Sequence, residues 1–415
     1  MTNKEWILIL MFYLLLLQNP LEIAMPVFKY TDEILPMIGL LFASSQVIRR
    51  GKLRLQKNDG IMVLAFLLFL MSGILGNVIY RYQPLNVVLI DLYTNMKFFL
   101  SVISGYVIFR SCDLPRVRGS LVRHARFAAA VLFALLLMDQ FFHIFPYAGM
   151  RYGLRVAQLF YYHPTYLAGA MVFLLTVLTA FYQKQNNRYI AMSLVVLFFT
   201  LRGKAVAGAA VYCLIFYYVL AYRKKLKVWH IAVIFLAVFF IAQDQFSYYY
   251  IELEGRSARS VLTQTAVQIA KDYFPIGTGF GTYASSSAGA NYSPVYVMYG
   301  FLDIYELGGG GTSFFNDTFW LIIIGQTGVI GTICYLFVLL TLFHRVMKIH
   351  KINIFAYATG VFIFAYLLIS STSEPTFNNS IAVPLALVLG YVCSLGNRPH
   401  EGAQPRETHI QDRME

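Results

Sequence analysis

Residues 318–343 read TFWLIIIGQTGVIGTICYLFVLLTLF, a run of 26 residues with no charged side chain. About 20 such residues cross the hydrocarbon core of a bilayer as a helix, so this stretch predicts a membrane-spanning helix. The rest of the chain has the same character. Of its 415 residues 58% are apolar and only 13% charged, against about 25% charged in an ordinary soluble domain. With a mean hydropathy of +0.61, too few polar groups remain to cover a soluble exterior, which excludes a soluble enzyme of the usual kind. The 35 Phe and 30 Tyr exclude a disordered chain.

Twelve apolar stretches are candidate spans: 6–19, 34–48, 61–80, 88–109, 126–146, 158–181, 188–201, 206–222, 228–243, 318–343, 353–371 and 381–396. The first has no small-residue cleavage site after it and reads as an uncleaved span rather than a signal peptide. The expected fold is an all-α integral membrane protein of about twelve transmembrane helices over 1–396, with both termini cytoplasmic and a disordered cytoplasmic tail, 397–415. Charge placement agrees with that orientation. With the termini inside, 23 of the 33 basic residues fall on cytoplasmic segments, as the positive-inside bias requires. The net charge of +13 is therefore mostly a topology signal, and nucleic acid is not an expected partner.

The ninth and tenth stretches are separated by one long loop, 244–317, which this topology places outside the cytoplasm. Its many tyrosines and the helix-like run from Val261 to Ala270 favour a folded loop that carries function. Cys112, Cys213, Cys334 and Cys393 are far apart and suggest neither disulfides nor a zinc site. Glu252 and Glu254 lack a His or Asp neighbour, so no metal and no cofactor is expected. Gly277-Thr278-Gly279-Phe280-Gly281 has neither the Lys-Ser/Thr of a P-loop nor a strand-to-helix setting, and backbone flexibility explains its glycines. No nucleophile elbow, HExxH or CxxC occurs.

Basic residues on the outer side act against the topological bias and need a reason. Arg202 and Lys204 occupy a turn between two spans. Arg151 and Arg155, four apart before the sixth span, would share one helix face. Arg256 and Arg259 open the helix-like part of the long loop. Together these pairs point to an anionic ligand at the outer interface, although each alone is also what a solvated or headgroup-contacting face looks like. His163 starts the sixth span at its outer end. Asp139 and His143, at i and i+4, could hydrogen-bond on one helix face. Asp91 and Lys97, six apart in the fourth span, point about 120° from each other and do not pair directly.

The segment from Arg256 to Gly331 resembles the signature region of the bacterial O-antigen polymerase and O-antigen ligase superfamily. The shared elements are the basic pair Arg256 and Arg259, the phrase from Phe274 to Gly281, and a polar pair opening a span. Ligases of the family carry His-Asn, nine residues, then Gly-x-x-Gly. Here Asp317-Thr318 is followed by nine residues and Gly328-Val329-Ile330-Gly331. Asp317 stands where the ligase histidine would be, which argues for the polymerase branch. His163-Pro164 and Arg202-Gly203-Lys204 also look like family features. The resemblance implies a bacterial inner-membrane glycosyltransferase, independent of metal. It would join undecaprenyl-diphosphate-linked oligosaccharide repeat units outside the cytoplasm, with the lipid diphosphate as leaving group. Membrane lipid and a chain-length regulator protein would be its further partners. Asp317 and His163 would serve the acceptor hydroxyl, the arginines and Lys204 the diphosphate, and loop tyrosines the sugar rings. The main rival is a transporter or flippase of lipid-linked oligosaccharide, for which Asp91 and Lys97 would be the functional charges; a related O-antigen ligase is the second alternative, and a scaffold, in which no single outer arginine matters, the third.

Overall fold

A computed structural model describes residues 3–50, 57–111, 114–227, 229–230, 257–304, 307–308, 315–316 and 318–396. Arg256, Asp317, Cys112, Glu252, Glu254, most of the ninth apolar stretch and the tail 397–415 lie outside the described residues. The chain is mostly helical, 77%. The other eleven apolar stretches all fall on helices: α1 (Asn3–Leu16), α3 (Thr31–Arg50), α4 (Lys57–Tyr80), α5 (Leu85–Ser111), α6 (Leu114–Phe142), α7 (Pro164–Ala180), α8 (Asn187–Phe199), α9 (Gly203–Tyr222), α13 (Phe319–Ile349), α14 (Ile354–Ser370) and α15 (Ala382–Leu395). A short α2 (Gln18–Ala24) follows α1 at a bend of 74°. Among the described residues, four helices (α4, α5, α6 and α13) are long and apolar enough to cross a membrane, and five if the bent α1–α2 pair counts as one span.

The shorter helices occupy the centre. Helices α7, α14 and α15 are apolar on nearly every face and buried along almost their whole length, as expected of helices surrounded by others. Helix α15 lies against α5, where Gly390 and Gly105 let the two backbones meet: a Cβ at Gly390 would stand 2.3 Å from the Val102 carbonyl. Small residues permit this close approach, the usual device where lipid gives no hydrophobic drive to helix association. On α4, in contrast, Leu64, Leu67, Met71 and Leu75 are exposed, an apolar surface suited to lipid.

The charged side chains buried in α3 and α5 have hydrogen-bonding partners. Lys97 of α5 forms a buried ion pair with Asp32 at the start of α3, and Gln18 of α2 donates to the other Asp32 oxygen at 2.6 Å. Asp91 is also buried, and it accepts from Asn95 Nδ2 at 3.2 Å and from the Gly281 amide at 2.9 Å.

Two expectations need correction. The fold is not purely helical, because residues 147–157 form a hairpin of β1 (Tyr147–Arg151) and β2 (Leu154–Ala157). Arg151 and Arg155 therefore do not share a helix face. The cause is the two-residue turn Tyr152-Gly153, whose φ values of 52° and 73° are the positive pair that a tight hairpin turn requires. The phrase from Phe274 to Gly281, in turn, is packed rather than flexible. Helix α13 is broken at Gly328, φ 63°, ψ −159°, and the phrase lies in the break. The Thr278 and Gly279 amides donate to the Gly325 and Gln326 carbonyls at 3.0 and 2.9 Å, and the Ile330 amide donates to the Pro275 carbonyl at 3.2 Å. In an unbroken helix Ile330 N–H would have used Gln326; here the loop satisfies both groups that the break frees. Asn77 of α4 clamps Phe280 on both sides, accepting from its N–H at 2.8 Å and donating to its carbonyl at 2.9 Å.

The described part of the long loop is built on this anchor. It contains α10 (Ala258–Asp272), which packs on α13, and the short helices α11 (Ser286–Ala290) and α12 (Pro294–Met298). They enclose a small core of Leu262, Ala266, Ile269, Tyr283, Tyr296 and Phe301. Tyr283 and Tyr296 are fully buried, so they form that core rather than flat faces for sugars.

Candidate functional site

Four of the sequence-derived residues meet at one end of the bundle. His163 caps α7, its Nδ1 accepting from the Thr165 amide at 3.2 Å, with Pro164 pre-set for the first turn. Arg202 caps α9 in extended conformation, and Lys204 follows in the first turn. Arg202 Nη2 lies 2.5 Å from His163 Nε2. Arg151, at the end of β1, donates from Nη1 to the Leu201 carbonyl at 3.3 Å, which brings the hairpin to the start of α9.

The electrostatics of this cluster are unbalanced. Burial first, and then the charges of Arg202, Lys204 and Arg151, push the His163 imidazole down to about 4, so it is neutral at pH 7. Burial and Arg151 likewise disfavour the charged form of Arg202. Neutral imidazole has a single lone-pair nitrogen, yet both ring nitrogens of His163 face a donor, Thr165 N–H and the guanidinium. It can accept from only one. Arg202 Nε is buried and has no hydrogen-bond partner among the described residues. Three permanent cations and a neutral histidine thus meet, and among the described residues the acidic side chain paired with them is Glu374, on Lys204.

Glu374 was missed by reasoning on the sequence, which weighed Asp91, Asp139, Glu252, Glu254 and Asp317 among the acids but not this one. A signal was present, since Glu374 is the lone acidic residue between Asp317 and Asn397 and stands between two apolar stretches. Helix α9 packs on α14, and this carries Lys204 to the segment after α14 where Glu374 sits. That segment also holds the beginning of α13: the Phe319 amide donates to the Ser371 carbonyl at 3.2 Å and Trp320 Nε1 to Ser371 Oγ at 3.0 Å. Asp317, outside the described residues, is two positions before Phe319.

The remaining predicted residues go elsewhere. Arg155 lies 3.6 Å from the fully buried Asp139, donates to the Phe145 carbonyl and stacks on Tyr147 at 4.6 Å; it ties the hairpin to the end of α6. Asp139 therefore pairs with Arg155, and its Oδ1 accepts from the Phe145 amide at 2.8 Å. It does not bond the His143 ring, because the helix ends there and His143, at φ 55°, is exposed. Arg259 is half-buried in the first turn of α10.

A cavity of about 30 Å³ is lined by Gln18, Asn19, Tyr161, Tyr166 and Ser380, among others, and an apolar one of about 50 Å³ shares its Leu15 and Phe173 walls; no residue of the cluster lines either. The first has room for a water. Among the described residues, no group of three or more His, Cys, Asp or Glu side chains could hold a metal ion. Chemically, the arrangement can bind a multiply charged anion and offers one buried carboxylate beside it. No family model matches the chain, and no curated protein matches it.

Proposed function

We propose that the protein is a polysaccharide polymerase of the bacterial inner membrane, acting on repeat units carried by undecaprenyl diphosphate. In this reading it crosses the membrane twelve times, both termini are cytoplasmic, and the loop 244–317 lies on the outer face. The observation that carries the proposal is the cation cluster: Arg202, Arg151 and His163 sit at one end of an apolar bundle, with Arg202 Nε lacking a hydrogen-bond partner among the described residues. A diphosphate held at the membrane surface by its lipid tail supplies the missing acceptor. Charge grows on that diphosphate as the glycosidic bond breaks, so preorganised guanidinium donors favour the transition state over the ground state. The polymer grows by transfer from one lipid carrier to the terminal hydroxyl of the next unit. The energy is already in the donor, so neither a nucleotide sugar nor a metal is required, and a chain-length regulator is a natural partner.

The rival reading, a flippase or exporter of lipid-linked oligosaccharide, draws on the buried charges of α5. Both are occupied, Lys97 by Asp32 and Asp91 by Gly281 and Asn95. They read as structural pairs that a transport cycle would have to break.

The test is incubation of the purified protein with a synthetic undecaprenyl-diphosphate repeat unit. Ladders formed without nucleotide sugar or metal support the polymerase. In cells, Arg202→Ala should abolish long chains while single-repeat units accumulate, and Arg256→Ala should do the same. Normal chain lengths in expressed variants would sink the assignment.

A further inference from the structure

We infer that Glu374 is the base that takes the proton from the acceptor hydroxyl. The inference rests on the polymerase reading and adds to it a residue outside the resemblance. Glu374 is 9% exposed, and its two oxygens differ. Oε2 pairs with Lys204, whereas Oε1 is buried without a hydrogen-bond partner among the described residues. An orphaned buried carboxylate oxygen is costly to keep, and it calls for a donor. In the same cluster, Arg202 Nε is a buried donor that calls for an acceptor. The two vacancies are of opposite kind and are linked by Lys204, two residues from Arg202 and paired with Glu374. The substrates of a glycosyl transfer fill both: a sugar hydroxyl donates to Oε1, and a diphosphate oxygen accepts from Nε.

His163 is the less open base. Its Nδ1 accepts from the Thr165 amide and its Nε2 faces the Arg202 guanidinium, so neither ring nitrogen is left for a hydroxyl, and protonation would add a further positive charge beside Arg202. With Glu374 the step balances. The hydroxyl oxygen forms its bond to the anomeric carbon of the donor as its proton passes to Oε1. The bond from that carbon to the diphosphate oxygen breaks, and its electron pair leaves on the diphosphate, where Arg202 meets it. The proton is then released to water. Lys204 fixes which oxygen stays open, and so acts as a positioning residue.

The experiment compares wild type, Glu374→Gln and Glu374→Asp in the reconstituted ladder assay, with binding of the undecaprenyl-diphosphate repeat unit measured in parallel. Gln keeps the shape of the side chain and removes its basicity. Its turnover should fall by about 10²–10⁴-fold, the usual contribution of a positioned base, with donor binding unchanged. A Gln variant that elongates at the wild-type rate, or that loses donor binding in parallel with turnover, overturns the assignment. Should Gln unfold the protein, Glu374→Asp decides: slowed turnover with donor binding unchanged supports the base, and an unslowed enzyme refutes it. A wild-type protein that makes no ladders refutes the polymerase reading, and this inference with it.

Discussion

Replacing Gly277 by alanine would place a methyl group in the joint between the long loop and the broken helix α13. The added Cβ would stand 2.5 Å from the Gly328 nitrogen, 2.7 Å from the Gly325 oxygen and 2.8 Å from the Gln326 carbonyl carbon. All three are backbone atoms, so no side chain can turn aside. Gly277 also has φ 72°, which costs a residue with a Cβ about 1–2 kcal/mol. Relieving the clash moves the phrase out of the break and loses the bonds from Thr278, Gly279 and Ile330, at about 1 kcal/mol net each. The sum, about 4–5 kcal/mol, corresponds to roughly a 10³-fold change in the local opening equilibrium. Hydrogen exchange in detergent, followed on the Thr278 and Gly279 amides, should accelerate by that factor. Gly300→Ala is the control, since Gly300 has the same φ of 72° but open space where the Cβ would go; strain alone should give about a tenfold effect. If Gly277→Ala exchanges no faster than this control, the phrase does not lock the broken helix.

Other perturbations address separate parts of the structure. Lys97→Met leaves Asp32 charged and buried and should destabilise the protein by about 3–5 kcal/mol. Combining it with Asp32→Asn should recover much of that in a chemical-denaturation series, and no recovery would mean the pair is not the source. Because His163 is held near 4 in the folded protein against about 6.5 in the unfolded chain, the unfolded state takes up its proton first. Stability should be complete above pH 6.5 and should fall as pH drops towards 4. His163→Asn, which keeps an acceptor for the α7 cap, should remove that part of the slope in thermal scans across this window. Tyr152→Asn puts a residue that tolerates φ 52° into the hairpin turn; with Tyr152 92% exposed, little packing is lost, and unfolding of the hairpin should become harder by a few tenths of a kcal/mol or more.

The helices were legible because their signal is a simple excess of apolar residues. Where reading failed, the information was in a partner. The fifth stretch was expected to begin at 126, yet α6 starts at Leu114, since Arg118 and Arg126 satisfy themselves on the Tyr182 carbonyl and on Asn186. The hairpin was overlooked because Tyr-Gly is a weaker turn signal than Asn-Gly. The phrase from Phe274 to Gly281 and the Gly328-x-x-Gly331 motif were quoted together as parts of a resemblance, but no local rule tells that one fills the break in the other. At the candidate site, Arg202, Lys204 and Arg151 were singled out as basic residues on the expected outer side, and His163 as a histidine at the start of a span. Arg155 looked equivalent to them in sequence; only the fold gives it Asp139 and removes it from the cluster. Glu374 became visible once Lys204 had a neighbour.

The ion pair between Lys97 and Asp32 also bears on how the chain is made. The two residues lie on α3 and α5, which emerge at different times during synthesis, with α4 between them. A lone charge at the centre of a membrane helix costs about 2.5–3.5 kcal/mol on insertion, and α5, which also carries Asp91, is the least apolar of the four long helices. Left alone in lipid, α5 is the element least able to stay. The Asp32 carboxylate of α3 is the counter-ion that the Lys97 charge meets in the folded bundle, so docking of α3 on α5 is the step that ends its isolation.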